Sequence, residues 1–243
     1  MEESTNAFAS VYSPGVEYTV RNRTVEASGS AIAPPACCID SVAEDQIRGL
    51  VRHLFLPGWP SPARQVVFSP VDESADATPI CLQVGQILSA QVSGTVCVWE
   101  ADGSGSSAQS RRDLDLVYGT SAANNLRECS RQMSSNLWHV SRSAFSAECD
   151  EGFSERWVRR RLEEVSLEFD YAVIRGPAAG SHSEAALLGH LCDGIVLIVE
   201  ANATRRMAAL KVKDKLRLAK ARLLGAVLTR RTFPIPEALY KRL

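Results

Sequence analysis

Gln65-Val66-Val67-Phe68-Ser69-Pro70, followed by Val71-Asp72-Glu73-Ser74-Ala75-Asp76-Ala77-Thr78-Pro79, is the stretch on which the fold turns. The first six residues form an apolar run of strand length, and an apolar stretch at helical spacing extends from about Ile80 to Ala90. Strand, loop and helix in that order put the loop where a phosphate-binding G-x-x-x-x-G-K-[ST] loop would lie. Such a loop uses glycines to curl backbone amides around phosphate, a lysine to span the outer phosphates, and a hydroxyl to hold the metal. The stretch 71–79 has no glycine and no lysine, and its Asp72, Glu73 and Asp76 would repel a triphosphate. Only Thr78 is the right residue type in the right place.

Two further strands end at the same kind of position. Val96-Cys97-Val98-Trp99 runs into Glu100-Ala101-Asp102, a carboxylate pair of the kind that holds a hydrated cation. Tyr171-Ala172-Val173-Ile174 ends at Arg175, where an aspartate would support magnesium. A guanidinium stays protonated and has no acceptor, so it cannot ligate a metal. Two readings of Arg175 stand side by side: a counter-ion to Glu100 or Asp102 that replaces the magnesium charge, or a side chain turned to solvent.

The remaining pattern alternates strands and helices. Residues 136–140 read as a third strand, 103–110 as a loop, and 114–133 as short helices. A helix at 153–169 turns Trp157, Leu162, Val165 and Phe169 inward and Arg159, Arg160, Arg161, Glu163 and Glu164 mostly outward. Apolar strand runs between helices predict a doubly wound, mainly parallel α/β sheet with helices on both faces, in three layers. Ligands in such sheets sit at the carboxyl ends of the strands. Residues 1–42 carry Ser, Thr, Ala and Pro without periodicity and are read as a flexible arm, leaving 43–243 as one domain. The helix expected at 44–56 places Ile47, Leu50, Val51 and Leu54 on one face, and Pro57-Gly58 ends it.

Three later segments carry a resemblance. Asp170-Tyr171-Ala172-Val173-Ile174-Arg175-Gly176-Pro177, then Leu191-Cys192-Asp193-Gly194-Ile195-Val196-Leu197-Ile198-Val199, then Gly225-Ala226-Val227-Leu228-Thr229-Arg230-Arg231 with Pro234-Ile235-Pro236 and Tyr240, resemble the bacterial tyrosine kinases of capsular and exopolysaccharide synthesis. The resemblance runs from about Ala43 to the C-terminus. It implies a deviant-Walker P-loop ATPase fold, ATP and magnesium as ligands, and an oligomer that partners a membrane-embedded chain-length protein. Carried over residue by residue, it puts Ala77 at the lysine position, Thr78 at the metal-binding hydroxyl, Glu100 and Asp102 at the acidic pair, and Arg175 at the last aspartate. The family's arginine after the acidic pair is replaced by Gly103-Ser104-Gly105-Ser106-Ser107, and no tyrosine cluster ends the chain. Its Glu-x-x-Arg-x-x-Arg contact helix is matched by Asp45 and Arg48, with the second arginine displaced to Arg52.

Composition narrows the rest. A 243-residue chain with 45% hydrophobic residues buries a substantial core, and a formal net charge of −1 gives no sign of nucleic-acid binding. The charge is uneven: residues 200–243 hold 12 Lys or Arg against 3 Asp or Glu. Their basic stretch at 204–222, with Ala208, Val212, Leu216, Ala219 and Leu223 on the apolar side, is either a solvated face or a contact for an acidic partner or anionic membrane. Of the 7 cysteines, Cys81, Cys97 and Cys192 lie in apolar runs and read as buried reduced thiols, whereas Cys37-Cys38 lies in the arm. No run reaches the roughly 20 apolar residues of a membrane span. The first residues do not read as a signal peptide, so the expected location is cytoplasmic, at the inner membrane face through a partner. His182 and His190, eight apart, do not make a helical zinc pair.

These observations predict a non-catalytic relative of the kinases, acting with the export and chain-length machinery, with no cofactor. A homo-oligomer or a catalytic paralogue are its further expected partners. The alternatives are a residual ATPase or kinase, with metal on Thr78, Glu100 and Asp102 and nucleotide at the same loop, and a deviant-Walker positioning protein.

Overall fold

The computed structural model describes residues 7–13, 16–22, 41–56, 62–101, 126–128, 130–141 and 154–231. Strands β1 (Ala7–Ser13), β2 (Val16–Asn22), β3 (Gln65–Pro70), β4 (Val96–Glu100), β5 (Arg131–Ser134), β6 (Leu137–Val140), β7 (Tyr171–Arg175), β8 (Gly194–Glu200) and β9 (Leu223–Arg231) form one sheet, in the order β2-β1-β9-β8-β3-β7-β4-β6-β5. From β9 to β6 all neighbours are parallel. The antiparallel pairs are β5 on β6 at one edge and the β1–β2 hairpin laid on β9 at the other.

Helices cover both faces. On one lie α1 (Ser41–Phe55) and α2 (Thr78–Gln91), whose Leu50, Val51, Leu54, Val84 and Leu88 pack on Val66, Phe68, Val98, Val173 and Ile198. On the other lie α3 (Glu155–Glu168), α4 (Glu184–Leu191) and α5 (Arg206–Leu218), packed on Val67, Cys97, Trp99, Ile174, Ile195 and Leu197. Residues next to each other along a strand alternate between these cores, as pleating requires. The strands buried on both sides therefore read as unbroken apolar runs. Ser154 caps α3 by accepting from the Trp157 amide at 3.2 Å.

Close approach of α2 to the sheet depends on Gly85. A Cβ there would lie 2.5 Å from Val98 Cγ2 and 3.3 Å from Leu137 Cδ1. Val98 is β-branched and fully packed, so neither side can give way easily. Gly85→Val is expected to cost about 2 kcal/mol, measured as a lower denaturation midpoint at unchanged slope.

Several sequence expectations are corrected. Part of the stretch read as a flexible arm forms β1 and β2. The available signal was Pro14-Gly15 between two runs of β-favouring residues, but short mixed strands at a sheet edge give no clean periodicity. The helices expected over 114–133 give way at their end to β5, whose four residues are all exposed, so no apolar pattern marked it. Arg161, expected on the outer face of α3, is buried, with its guanidinium 5.7 Å from the Trp157 ring. Of the apolar positions expected on α5, Val212 and Leu216 are buried, while Leu223 has moved into β9 and is exposed. The expectations on Cys37-Cys38, the 103–110 loop, Pro234-Ile235-Pro236 and Tyr240 lie outside the described residues.

Candidate functional site

The loop after β3 supplies the first part of the site. Ala75 and Ala77 are turned into the α1–α2 core, at 7% and 2% exposure, together with Ile80. Methyl groups therefore anchor the loop where a lysine would reach out. Thr78 donates its hydroxyl to Asp76 Oδ1 at 2.7 Å and its amide to the same oxygen at 2.9 Å. Accepting both hydrogen bonds, the Asp76 carboxylate orders the entrance to α2 locally, and the Thr78 hydroxyl commits its proton to it while keeping its lone pairs. Glu73 and Asp76 are exposed.

The loop after β7 lies against this segment. Ala179 and Gly180 donate their amides to the carbonyls of Pro70 (2.8 Å) and Val71 (3.0 Å), and a Cβ on Gly180 would stand 2.5 Å from the Val71 oxygen. Ser69 donates its buried hydroxyl to the Pro177 carbonyl at 2.6 Å. His182 stands 3.4 Å from Glu73 and 3.9 Å from Glu184. Lys215, in the basic stretch read from sequence as a solvated face or a contact for an acidic partner or anionic membrane, donates to the carbonyls of Ala179 (3.2 Å) and His182 (3.1 Å).

Glu100, Arg175 and His139 come together only through the sheet order. In the parallel register Glu100 sits opposite Arg175, and Val98 opposite His139. Glu100 Oε1 is 3.6 Å from Arg175 Nη1 and 3.4 Å from His139 Nε2. Burial pushes the Glu100 carboxyl up, but the hydrogen bond and charge of His139, with the Arg175 charge, outweigh it and hold the group below its ordinary value. Arg175 is thus an internal counter-ion, the first of the two arrangements its position allowed. A second rim pair joins Glu200 at the end of β8 to Arg230 on β9 at 2.8 Å.

Of the sequence-derived site residues, Ala77, Thr78, Glu100 and Arg175 all lie at the carboxyl ends of β3, β4 and β7, and Asp102 lies outside the described residues. His139, Glu200, Arg230 and Lys215 join this rim without having been foreseen as site residues. Strand ends were legible; which strands are neighbours was not. Among the described residues, position 77 carries a buried methyl, Thr78 donates its hydroxyl to Asp76, and a guanidinium faces Glu100. Among the described residues no group of three or more His, Cys, Asp or Glu could hold a metal ion. Burial pushes the Cys97 thiol up, and burial with Asp193 does the same for Cys192, in keeping with inert thiols.

The chain is 30% identical over 75 residues to the tyrosine-protein kinase YwqD of Bacillus subtilis (strain 168), covering 31% of this chain and 32% of that protein. It is 27% identical over 74 residues to the tyrosine-protein kinase CpsD of Streptococcus agalactiae serotype III (strain NEM316), covering 30% of this chain and 32% of that protein. Its homologues are bacterial tyrosine-protein kinases. The VpsO kinase domain superposes with a TM-score of 0.61 at 17% identity, over 78% of this chain and 96% of that one, which shows a shared P-loop NTPase-like fold. No family model matches the chain. The homologous segment spans about a third of the curated relatives' length. No helix among the described residues is long and apolar enough to cross a membrane.

Proposed function

We propose that this chain is a non-catalytic homologue of the polysaccharide-biosynthesis tyrosine kinases. In this reading it keeps their fold as a regulatory or scaffolding partner of capsule or exopolysaccharide synthesis and export. The observation that carries the reading is the Arg175–Glu100 pair at 3.6 Å, which sets the protein's own cation against the carboxylate that would serve magnesium. Phosphoryl transfer depends on positioned charge around the phosphates, and without the lysine, the metal and the cradle little of that stabilisation remains. The partner fitting this role is a membrane-embedded chain-length or export protein, which would hold the chain at the inner membrane face. Neither ATP nor magnesium is needed.

The test is calorimetric titration with ATP and with ADP, each with and without magnesium, alongside thermal melts. A ligand at one hundred times its Kd stabilises a protein by about 2.7 kcal/mol, a rise of roughly 5–11 °C for a chain of this size. The expected result is no heat and no rise in Tm at millimolar nucleotide. Micromolar, magnesium-dependent binding would overturn the proposal in favour of a residual ATP-binding kinase.

A further inference from the structure

We propose that the outward face of α5 docks on an anionic lipid bilayer, with Met207, Leu210 and Leu218 at headgroup depth and the flanking cations on lipid phosphate. The inference uses none of the nucleotide-site residues and stands apart from the reading above.

It begins from how little of α5 is buried. Of its 13 residues only Val212 and Leu216 are buried, with Ala208 and Ala209 partly buried against the core. Six large hydrophobic side chains are exposed among the described residues, and three are on this one helix: Leu218 at 82%, Met207 at 64% and Leu210 at 40%. Their positions follow helical geometry, since residues 207 and 218 lie three turns apart on nearly the same line and residue 210 falls between them. Among the described residues nothing covers this side of the helix, where the exposed Asp214 falls between Leu210 and Leu218.

Charge then selects the occupant. Arg205, Arg206, Lys211, Lys213, Arg217 and Lys220 are exposed on or at the ends of the helix, against Asp214 as its one carboxylate. Among the described residues none of these six cations has a carboxylate within 4 Å. The seventh, Lys215, is bound to backbone carbonyls and is not counted. Apolar residues bordered by lysine and arginine are the pattern of helices that lie in the headgroup plane. A solvated face would need only the charges. A wholly electrostatic partner would not explain Leu218 and Met207, whereas a bilayer takes both groups at once.

The test is sedimentation of the purified full chain with phosphatidylcholine vesicles, with and without phosphatidylglycerol, at low and at high salt. Binding is expected only with the anionic lipid and is expected to fall as salt rises. K213Q/R217Q/K220Q should weaken it roughly 100-fold, since each cation near such a surface is worth about a factor of five. Leu210→Ser with Leu218→Ser should weaken it about tenfold. All five positions are surface sites, so the variants should melt like the parent. Equal binding to both vesicle types, or full binding by the Leu210/Leu218 variant, would overturn the proposal. So would binding to polyglutamate without binding to vesicles, which would assign the face to an acidic protein.

Discussion

Glu100→Ala is expected to destabilise the protein by about 3 kcal/mol, a fall in Tm of roughly 6–12 °C for a chain of this size. The Arg175 side chain is 8% exposed and that of Glu100 22%, so removing the carboxylate takes a negative charge away from a guanidinium in a largely dry place. Glu100→Gln should cost less, because it keeps the shape and still offers His139 an acceptor. The pH dependence follows from the sign of the shift. The folded carboxyl is held below its ordinary value, so the stabilisation is complete above about pH 4.5 and is lost as pH falls through the folded value. The gap in Tm between parent and Glu100→Ala should therefore narrow in acid. An equal gap at neutral and at acid pH would show that packing, and not the ion pair, carries the effect.

Ala77→Lys brings back the residue type that a phosphate-binding loop requires, and it is expected to harm the protein without conferring nucleotide binding. Ala77 is 2% exposed in a cluster with Ala75 and Ile80, which has no room for four methylenes and gives an ammonium no partner. Overpacking and charge burial together should cost about 4 kcal/mol, or roughly 8–16 °C in Tm. Calorimetry on the variant should show no heat with ATP and magnesium, because the 71–79 loop still has no glycine and Arg175 still faces Glu100. A variant as stable as the parent that binds ATP–magnesium would mean that the loop is a working cradle short of one side chain.

The readability of the site differed from residue to residue for definite reasons. Missing glycine and lysine at 71–79 were plain because the motif is local, lying within one strand, one loop and one helix. Arg175 stood out for the same reason, as a cation at a strand end. Its partner was legible only as one of two candidates, Glu100 or Asp102: Glu100 precedes it by 75 positions, and their contact depends on β4 and β7 being neighbours in register. His139 was visible as part of a strand but not as part of a site, because the strand's place in the sheet was open. The contacts of Lys215 were not legible because helical periodicity reports the angle of a side chain about its own helix and not what another loop brings to meet it. The hairpin of β1 and β2 escaped because edge strands need no apolar face.

By itself the sequence determined the class of fold, the strand ends after β3, β4, β6 and β7, and the absence of glycine and lysine from residues 71–79. These are local properties, set by periodicity, by turn residues and by the chemistry of single side chains. Only the tertiary structure decided that the order β9-β8-β3-β7-β4-β6 closes the rim with ion pairs of its own, Glu100 with Arg175 and Glu200 with Arg230. It also decided that Ala77 faces the core and that α5 leaves a basic and apolar face outside it. The physical reason is that strand order and burial are fixed by which surfaces meet, and that depends on contacts between residues far apart in the chain.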